Sequence, residues 1–225
     1  VMSAPKQMLE KLPEEQAKRA VFNYPIWIYE QFDNDFYLEK TEEGMKPDVD
    51  AMIKNIKQTD GNQAVFSTPN NLYKVVKKLS EEGVSADLGP EGVIMTAGGW
   101  KGASGANKEE FRELLNEVFN VSPQNHLDFY GCTELFFATG NKFGDENPDK
   151  KRVPPEGYIW IADEEEFLSE GVLKPVEEGE PGLLVAVDPS NTDYPGVILT
   201  DDVVRKTGGE YGQDVRIEYV GRSSM

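Results

Sequence analysis

Apolar residues recur every three or four positions in three stretches of the chain, a spacing that is typical of amphipathic helices. These stretches cover residues 47–57, 70–81 and 108–119. In each of them the apolar side chains share one face. We therefore predict three helices that pack against a hydrophobic core.

The residues at the start of two of these helices have the chemistry of N-terminal caps. Thr68 is followed by Pro69, a pair that is typical of a cap and a first helical turn. Asn107 precedes the third helix, and Glu110 stands where a capping-box carboxylate reaches back to the first turn. We expect both helices to begin at these residues.

Short apolar runs at residues 92–96 and 127–130 end in turns that contain glycine, and they flank the third helix. A strand, a helix and a strand at this spacing predict a parallel βαβ unit. After Pro154 and Pro155 the pattern changes to β-rich runs separated by Gly, Pro and Asp, at 158–162, 183–187, 197–200 and 215–220. The sequence thus predicts an α/β fold, with an α/β portion in residues 1–153 and a small antiparallel β subdomain in residues 154–225.

Composition narrows the range of partners. The 225-residue chain has 23 Lys and Arg against 41 Asp and Glu, a formal net charge of -18, which disfavours binding to nucleic acid or to an anionic membrane surface. No apolar run is long enough to span a bilayer. A single cysteine, Cys132, excludes an intrachain disulfide, and we expect a cytoplasmic protein. An acidic chain can still bind a nucleotide through backbone N–H groups and a metal ion.

Two glycine-containing turns follow predicted strands, where open α/β sheets bind their ligands. The first contains Gly98 and Gly99, which allow a flat ligand to approach the backbone, although such glycines more often form only a tight turn. The second contains Tyr130, Gly131, Thr133 and Glu134, and it combines four chemistries. The aromatic ring can cover a purine, the glycine permits a bend, the hydroxyl can donate to a phosphate, and the carboxylate can bind magnesium.

The stretch from Tyr130 to Glu134, Tyr-Gly-Cys-Thr-Glu, resembles the adenylate-binding motif of the ANL superfamily of acyl-CoA ligases, adenylation domains and luciferases. Residues 179–184, residues 199–202 and the pair Gly221 and Arg222 follow in the order of that superfamily's later motifs. Within the superfamily, the Gly-Gly-Trp-Lys stretch at 98–101 is similar to that of LuxE-type acyl-protein synthetases. The resemblance implies the large N-terminal ANL domain as the fold.

The resemblance also implies a role for each site residue. Asp202 would hold the ribose hydroxyls, although Asp201 replaces the glycine of the usual Thr-Gly-Asp motif, and Arg222 would contact ribose or phosphate. Tyr130 would pack on adenine at the turn made by Gly131, while Gly98 and Gly99 would line the adenine or acyl pocket. Thr133 and Glu134 would be the catalytic residues that handle phosphate, and Glu134 would bind magnesium.

The implied reaction is the ATP- and magnesium-dependent activation of a carboxylic acid of the fatty acid class. An acyl-adenylate forms, and the acyl group passes to a thiol, either a protein cysteine or CoA, with an acyl reductase as a partner. A phenylacetate-type acyl- or aryl-CoA ligase is the alternative, and a non-catalytic fragment that binds a nucleotide or a partner is the second. We find no Ser/Thr/Gly-rich phosphate loop and no lid segment after Arg222, so we expect a fragment of a longer protein that is inactive alone.

Structural interpretations compete at several of these positions. The turn at Thr133 and Glu134 can simply start a helix, and Asp202 can be a hairpin turn residue for which Asp201 is a rival. His126 is more often a satisfied structural residue than a catalyst, and Cys132 is interpreted as a free buried thiol. The acidic runs at 164–166 and 177–178 are interpreted as solvated charges or helix-start charges.

Overall fold

Helices and strands alternate in the first half of the chain, and antiparallel strands fill the second. A computed structural model describes residues 37–42, 44–100, 107–132, 134–135, 137–192 and 196–223. The chain divides into two compact units, Val1–Leu127 and Asp128–Met225. The predicted domain boundary after residue 153 falls inside the second of these units and stays a prediction.

The first unit contains a parallel βαβ arrangement. Strand β3 pairs in parallel with β4, with Ser67 opposite Thr96, and a helix connects the two strands. An antiparallel pair, β1 and β2, precedes them. The elements of this unit are β1 (Leu38–Thr41), β2 (Gly44–Pro47), α1 (Val49–Gln58), β3 (Ala64–Ser67), α2 (Pro69–Glu81), β4 (Val93–Ala97), α3 (Lys108–Phe119) and a 3-10 turn (Pro123–Asn125).

The helix starts confirm the predicted caps but correct one detail. The Thr68 hydroxyl accepts a hydrogen bond from the backbone N–H of the third residue after it, and the Asn107 side chain, which caps α3, accepts one from the second residue after it. The Glu110 carboxylate, predicted to reach back toward its own cap, instead accepts the Tyr73 hydroxyl at 2.9 Å and lies 3.4 Å from Lys77 Nζ. Both partners lie on α2, so a contact between helices replaces the local one.

The core of the first unit is built from the apolar faces that the periodicity predicts. The three helices bury their stripes against β3 and β4, with Leu72, Ile94 and Phe119 fully buried. Trp100 packs edge-on against Phe111, with the ring centroids 5.1 Å apart. Trp100 is therefore a residue at the border of this core.

The second unit is an antiparallel sheet, as the sequence predicts. Its strand order is β5-β6-β7-β11-β10-β9-β8, and each neighbouring pair is antiparallel. Strand β5 begins two residues before the unit boundary. The strands are β5 (His126–Tyr130), β6 (Thr139–Gly140), β7 (Lys151–Arg152), β8 (Tyr158–Ala162), β9 (Pro181–Val187), β10 (Val197–Gly208) and β11 (Arg216–Arg222).

One face of this sheet forms the second core. Buried residues of β8, β9, β10 and β11 meet those that follow β5, including Leu135, Ile161, Leu184 and Ile217. A short helix, α4 (Glu164–Glu170), is capped by Asp163 and carries the first acidic run in its first turn. The interpretation of that run as helix-start charge is therefore confirmed. In the described part of the chain, no helix has the length and apolarity that a bilayer crossing requires.

The turn between β10 and β11 fixes the register that brings Asp202 opposite Arg222. Gly209 lies in this turn with φ +74°, and an added Cβ would lie 1.6 Å from the carbonyl oxygen of Asp214. Gly212 has φ +81°, but nothing lies within 4 Å of an added Cβ. The two glycines of this turn thus share a left-handed backbone but differ in the room that is available for a Cβ.

Gly209→Ala is therefore expected to lower the free energy of unfolding by about 3 kcal/mol or more, because the turn must move as well as strain. Gly212→Ala is the matched control and is expected to cost about 1 kcal/mol, from the strained backbone alone. Urea unfolding of both variants measures the difference. Equal losses would contradict the close approach at Gly209.

Candidate functional site

The hydroxyl of Tyr130 lies at the carboxylate of Asp202. Tyr130 is the last residue of β5, and its O–H donates to Asp202 Oδ2 at 2.6 Å. Asp202 is only 6% exposed, although it is charged and lies in β10. A buried carboxylate needs such donors, because burial without them is costly. Two residues that are 72 positions apart in sequence therefore form one hydrogen-bonded unit.

Arg222 completes this unit from the neighbouring strand. It stands opposite Asp202 in the β10–β11 register, and its Nε donates to Asp202 Oδ1 at 3.1 Å. Its Nη1 lies 3.4 Å from Asp201 Oδ2. The two aspartates raise the pKa of the Arg222 guanidinium. Asp202 is the buried member of the pair and Asp201 is half exposed, so the two carboxylates differ in burial.

Tyr219 is part of this cluster and was missed by the sequence analysis. Its ring stacks on that of Tyr130, with centroids 5.7 Å apart and an interplanar angle of 27°. One face of Tyr130 is therefore covered by protein, and any ligand ring must use the other face. Tyr219 lies three residues before Arg222 in β11, within a short apolar run that carries no motif of its own.

Burial favours the protonated, neutral forms of Tyr130 and Cys132. The pKa of Tyr130 is raised first by burial and then by its hydrogen bond to Asp202, so Tyr130 is a hydroxyl donor at physiological pH. Burial, followed by the negative charge of Glu134, raises the pKa of the Cys132 thiol to about 12. Cys132 is therefore a free, half-buried thiol, as predicted, and a poor nucleophile near pH 7.

Alkylation of the single cysteine tests this assignment. At pH 8 we expect iodoacetamide to modify Cys132 in the folded chain at least about 100-fold more slowly than in the urea-unfolded chain, because an ordinary thiol has a pKa of about 8.5. In the folded chain the rate should increase as pH rises, since only a pH near the raised pKa produces thiolate. Similar rates in the folded and unfolded chains would contradict the raised pKa.

Glu134 is held through its backbone. Its carbonyl oxygen accepts a hydrogen bond from Asn191 Nδ2 at 2.6 Å, and Asn191 is only 2% exposed. Asn191 follows β9 in a turn in which Asp188 Oδ1 accepts the N–H and the hydroxyl of Ser190. Asn191 is a second residue that sequence reasoning missed, because its partner lies 57 positions away.

Comparison with protein families assigns the chain. The sequence model of the family described as "Acyl-protein synthetase, LuxE" matches residues 50–224, which is well over half of the chain. The chain belongs to the LuxE family. The resemblance inferred from its glycine turn and its Tyr-Gly-Cys-Thr-Glu motif is confirmed.

Relatives and solved structures agree with this family. A long-chain-fatty-acid–luciferin-component ligase of Aliivibrio fischeri is 30% identical over 171 residues, which cover 73% of this chain and 43% of the relative. The LuxE-family chain thus spans less than half the length of the curated relatives it matches.

An anthranilate CoA ligase solved with anthranoyl-AMP has a TM-score of 0.52 and 19% identity, with 77% of this chain and 32% of that chain covered. A long-chain-fatty-acid-CoA ligase from Archaeoglobus fulgidus has a TM-score of 0.51 and 15% identity, with 78% and 37% covered. These likenesses show the fold, which is the predicted ANL α/β fold.

The predicted glycines of the site in this LuxE-family chain differ in backbone conformation. Gly98 and Gly99 lie in the first unit with φ +90° and +68°, so their turn does require glycine. Gly131 has no left-handed backbone, and an added Cβ would only touch Ala138 at 3.7 Å. The backbone at Gly131 therefore does not itself require glycine, and the role of Gly131 beside a nucleotide stays a prediction. Thr133 lies outside the described residues.

His126 is a buried residue of the first unit. Its Nε2 lies 2.9 Å from the Thr96 hydroxyl, its ring meets Phe111 edge-on, and the residue is only 5% exposed. The interpretation of His126 as a structural residue stays a prediction.

The carboxylate chemistry near the motif fits magnesium bound together with a nucleotide rather than a metal cage. Among the residues that the structure describes, no group of three or more His, Cys, Asp and Glu side chains is arranged to hold a metal ion. Magnesium at phosphates typically takes one or two carboxylates and completes its shell with phosphate oxygens and water. Glu134, half-buried and fixed by Asn191, offers one such carboxylate.

Proposed function

We propose that this LuxE-family chain provides the nucleotide site for an ATP-dependent activation of a long-chain fatty acid. The observation that carries the proposal is the hydrogen-bonded cluster of Tyr130, Asp202 and Arg222. These are three of the residues to which the family resemblance gives nucleotide-binding roles, and they meet although they are far apart in sequence. The name of the Aliivibrio fischeri relative supports a long-chain fatty acid as the substrate.

The Asp202 carboxylate has unoccupied hydrogen-bond acceptor sites for the hydroxyls of a ribose. An ionised carboxylate has about four lone-pair sites on its two oxygens. The Tyr130 hydroxyl takes one site on Oδ2, and Arg222 Nε takes one on Oδ1. About two sites remain, which match the 2′- and 3′-hydroxyl donors of one ribose. The existing hydrogen bonds fix the orientation of the carboxylate and leave its other acceptor sites available.

Tyr130 and the glycine turn provide the surfaces for flat groups. Because Tyr219 covers one face of Tyr130, adenine would lie on the other face. Gly131 would lie beside the base, and Gly98 and Gly99 would line the adenine or the acyl pocket. A ring on a pre-positioned aromatic face loses little conformational entropy on binding, which favours a preformed site.

The phosphates would be handled by the residues that follow Tyr130. Glu134 would bind magnesium, and Thr133 would donate to a phosphate oxygen. The metal ion would neutralise the charge that develops as pyrophosphate leaves. Arg222, which already spans Asp201 and Asp202, would contact ribose or the α-phosphate. Catalysis would rest on positioning and charge neutralisation.

The proposed chemistry has two balanced steps. A carboxylate oxygen of the fatty acid attacks the α-phosphorus of ATP, the bond from that phosphorus to the bridging oxygen breaks, and pyrophosphate leaves. A thiolate then attacks the acyl carbonyl carbon and forms a thioester. The bond from that carbon to the bridging oxygen breaks, and AMP leaves with this oxygen on its phosphate. Cys132 is unsuited to that second role because burial keeps it protonated. The acceptor would be a cysteine elsewhere in the protein or in a partner acyl reductase, in the cytoplasm.

CoA is the alternative acceptor. Two of the solved structures that share the fold are CoA ligases, which favours this candidate. The two reactions share the adenylation step and differ in the thiol. Incubating the protein with ATP, fatty acid and either CoA or the partner reductase separates them, by acyl-CoA release or by protein acylation. A chain that binds nucleotide and forms neither product would be the non-catalytic alternative.

Glu134→Gln tests the adenylation step. In a form of the protein that catalyses fatty-acid-dependent exchange of pyrophosphate into ATP, we expect this variant to lower the exchange rate by about 100-fold, with partial recovery at high magnesium, because the amide is a weak magnesium ligand. Glu177→Gln is the control, since Glu177 is an exposed member of the second acidic run, and it is expected to leave the exchange unchanged. Equal exchange in the two variants would refute the role of Glu134.

A further inference from the structure

Asp128, two residues before Tyr130 on β5, forms a buried ion pair with Lys151 of β7. Lys151 Nζ is 2.6 Å from Asp128 Oδ2, and Lys151 is only 5% exposed. Lys151 Nζ also donates to the backbone carbonyl of Pro148 at 3.3 Å. A lysine is rarely buried to this extent unless it is paired. The motifs considered so far assign no role to either side chain.

The backbone of Asp128 is held as firmly as its side chain. Its N–H donates to Asn141 Oδ1 at 2.7 Å, and Asn141 is only 6% exposed. By contrast, the ladder between β5 and β6 consists of two residue pairs, Phe129 with Gly140 and Tyr130 with Thr139. The contacts of Asp128 therefore add to this short ladder in fixing the end of β5.

The ion pair and the tyrosine stack are successive contacts of β5, the first with β7 and the second with β11. Asp128 and Tyr130 are two residues apart on β5, so their side chains leave the same face. Lys151 stands opposite Ile217 in the β7–β11 register, and Tyr219 is two residues further on the same face of β11. Asp128 meets Lys151 and Tyr130 meets Tyr219, so two adjacent contacts set the position and the rotation of β5.

We propose that Lys151 is a positioning residue of the nucleotide site, which acts through Asp128 to orient Tyr130. With the pair intact, the Tyr130 ring lies on Tyr219 and its hydroxyl points at Asp202. Without the pair, β5 loses a buried contact two residues from Tyr130, and the Tyr130 hydroxyl loses part of what fixes its direction. The proposal rests on the proposed function for its effect on binding, but its effect on Tyr130 is measurable without any ligand.

The test uses the double variant Asp128→Asn with Lys151→Met, which removes both charges and leaves no unpaired ion. The control is Glu166→Gln with Lys174→Met, because that pair has the same 2.6 Å separation in the same unit but is exposed. Chains labelled with 3-fluorotyrosine give one fluorine resonance per tyrosine. The resonance that Tyr130→Phe removes belongs to Tyr130.

We expect the Tyr130 resonance to shift or broaden in the double variant and to stay in place in the control. Affinity for a non-hydrolysable acyl-adenylate analogue should fall by about tenfold in the double variant alone, even where its thermal stability is close to that of the unmutated chain. An unmoved Tyr130 resonance overturns the proposal, whatever the affinity does. If the double variant does not fold, the isosteric Asp128→Asn variant replaces it with the same expectation.

The two readouts separate this proposal from the proposed function. If the Tyr130 resonance moves but the unmutated chain does not bind the analogue, Lys151 does orient Tyr130, and the nucleotide function is what fails. If the unmutated chain binds the analogue and the resonance does not move, the function stands and the positioning role fails.

Discussion

Replacing Asp202 with asparagine is expected to weaken binding of an acyl-adenylate by about 100-fold, the largest effect that we expect from a single site residue. Asparagine keeps the size of the side chain but removes the charge and one acceptor oxygen. The remaining oxygen cannot satisfy Tyr130, Arg222 and two ribose hydroxyls. Equilibrium dialysis with a labelled, non-hydrolysable analogue measures the change.

Asp201→Asn is the matched control for this variant. Asp201 is the adjacent residue, it also pairs with Arg222, and it is half exposed and lies 3.4 Å from the guanidinium. An exposed pair of this kind contributes little. We therefore expect affinity within a few-fold of the unmutated chain. If Asp201→Asn weakened binding as much as Asp202→Asn, the assignment of the ribose carboxylate to Asp202 would be wrong.

Lys151→Met is expected to lower the free energy of unfolding of the second unit by about 3–5 kcal/mol, since it leaves the buried Asp128 carboxylate without its cation. The side chains of Lys151 and Asp128 are only 6% and 17% exposed, so water does little to replace the lost partner. Denaturant titration followed by far-UV circular dichroism measures the loss.

Two further variants define what that loss means. Lys174→Met removes the cation of an exposed pair and is expected to leave the midpoint unchanged. Adding Asp128→Asn to Lys151→Met should recover part of the lost stability, because no unpaired charge then remains buried. A Lys151→Met chain that is as stable as the unmutated chain would show that Asp128 is adequately solvated in the fold.

Local sequence signals predicted the first unit well. The helices at residues 70–81 and 108–119 were found within one residue, because periodicity, Thr68, Pro69 and Asn107 all act within a single turn. The capping role of Glu110 failed because Tyr73 and Lys77, from another helix, compete for its carboxylate. Strand β3 was not predicted, since four residues carry too little pattern.

The extent of β10 shows a second limit of local reasoning. The apolar run predicted a strand that ends at residue 200, yet β10 continues through Asp201 and Asp202 to Gly208. Strand β11 lies alongside and brings Arg222 opposite Asp202, so a partner strand compensates the charged pair. Such a partner cannot be read from the run itself.

The site divides in the same way. Tyr130, Asp202 and Arg222 were identified by their motifs, and the structure joins them in one hydrogen-bonded cluster. Tyr219, Asn191 and Lys151 were missed, because each acts through a partner that is distant in sequence. The roles in nucleotide or metal binding stay predictions for all of the proposed site residues, namely Gly98, Gly99, Tyr130, Gly131, Thr133, Glu134, Asp202 and Arg222.

The proposed function depends most directly on whether this chain binds an adenylate. The decisive measurement is a calorimetric titration of the unmutated chain with a non-hydrolysable acyl-adenylate analogue in the presence of magnesium, repeated on Tyr130→Ala and with the 2′,3′-dideoxy form of the analogue. We expect saturable binding at one site, weakened both by the variant and by loss of the ribose hydroxyls. Binding that is indifferent to the hydroxyls and to Tyr130, or no binding to the unmutated chain, would contradict the proposed nucleotide site.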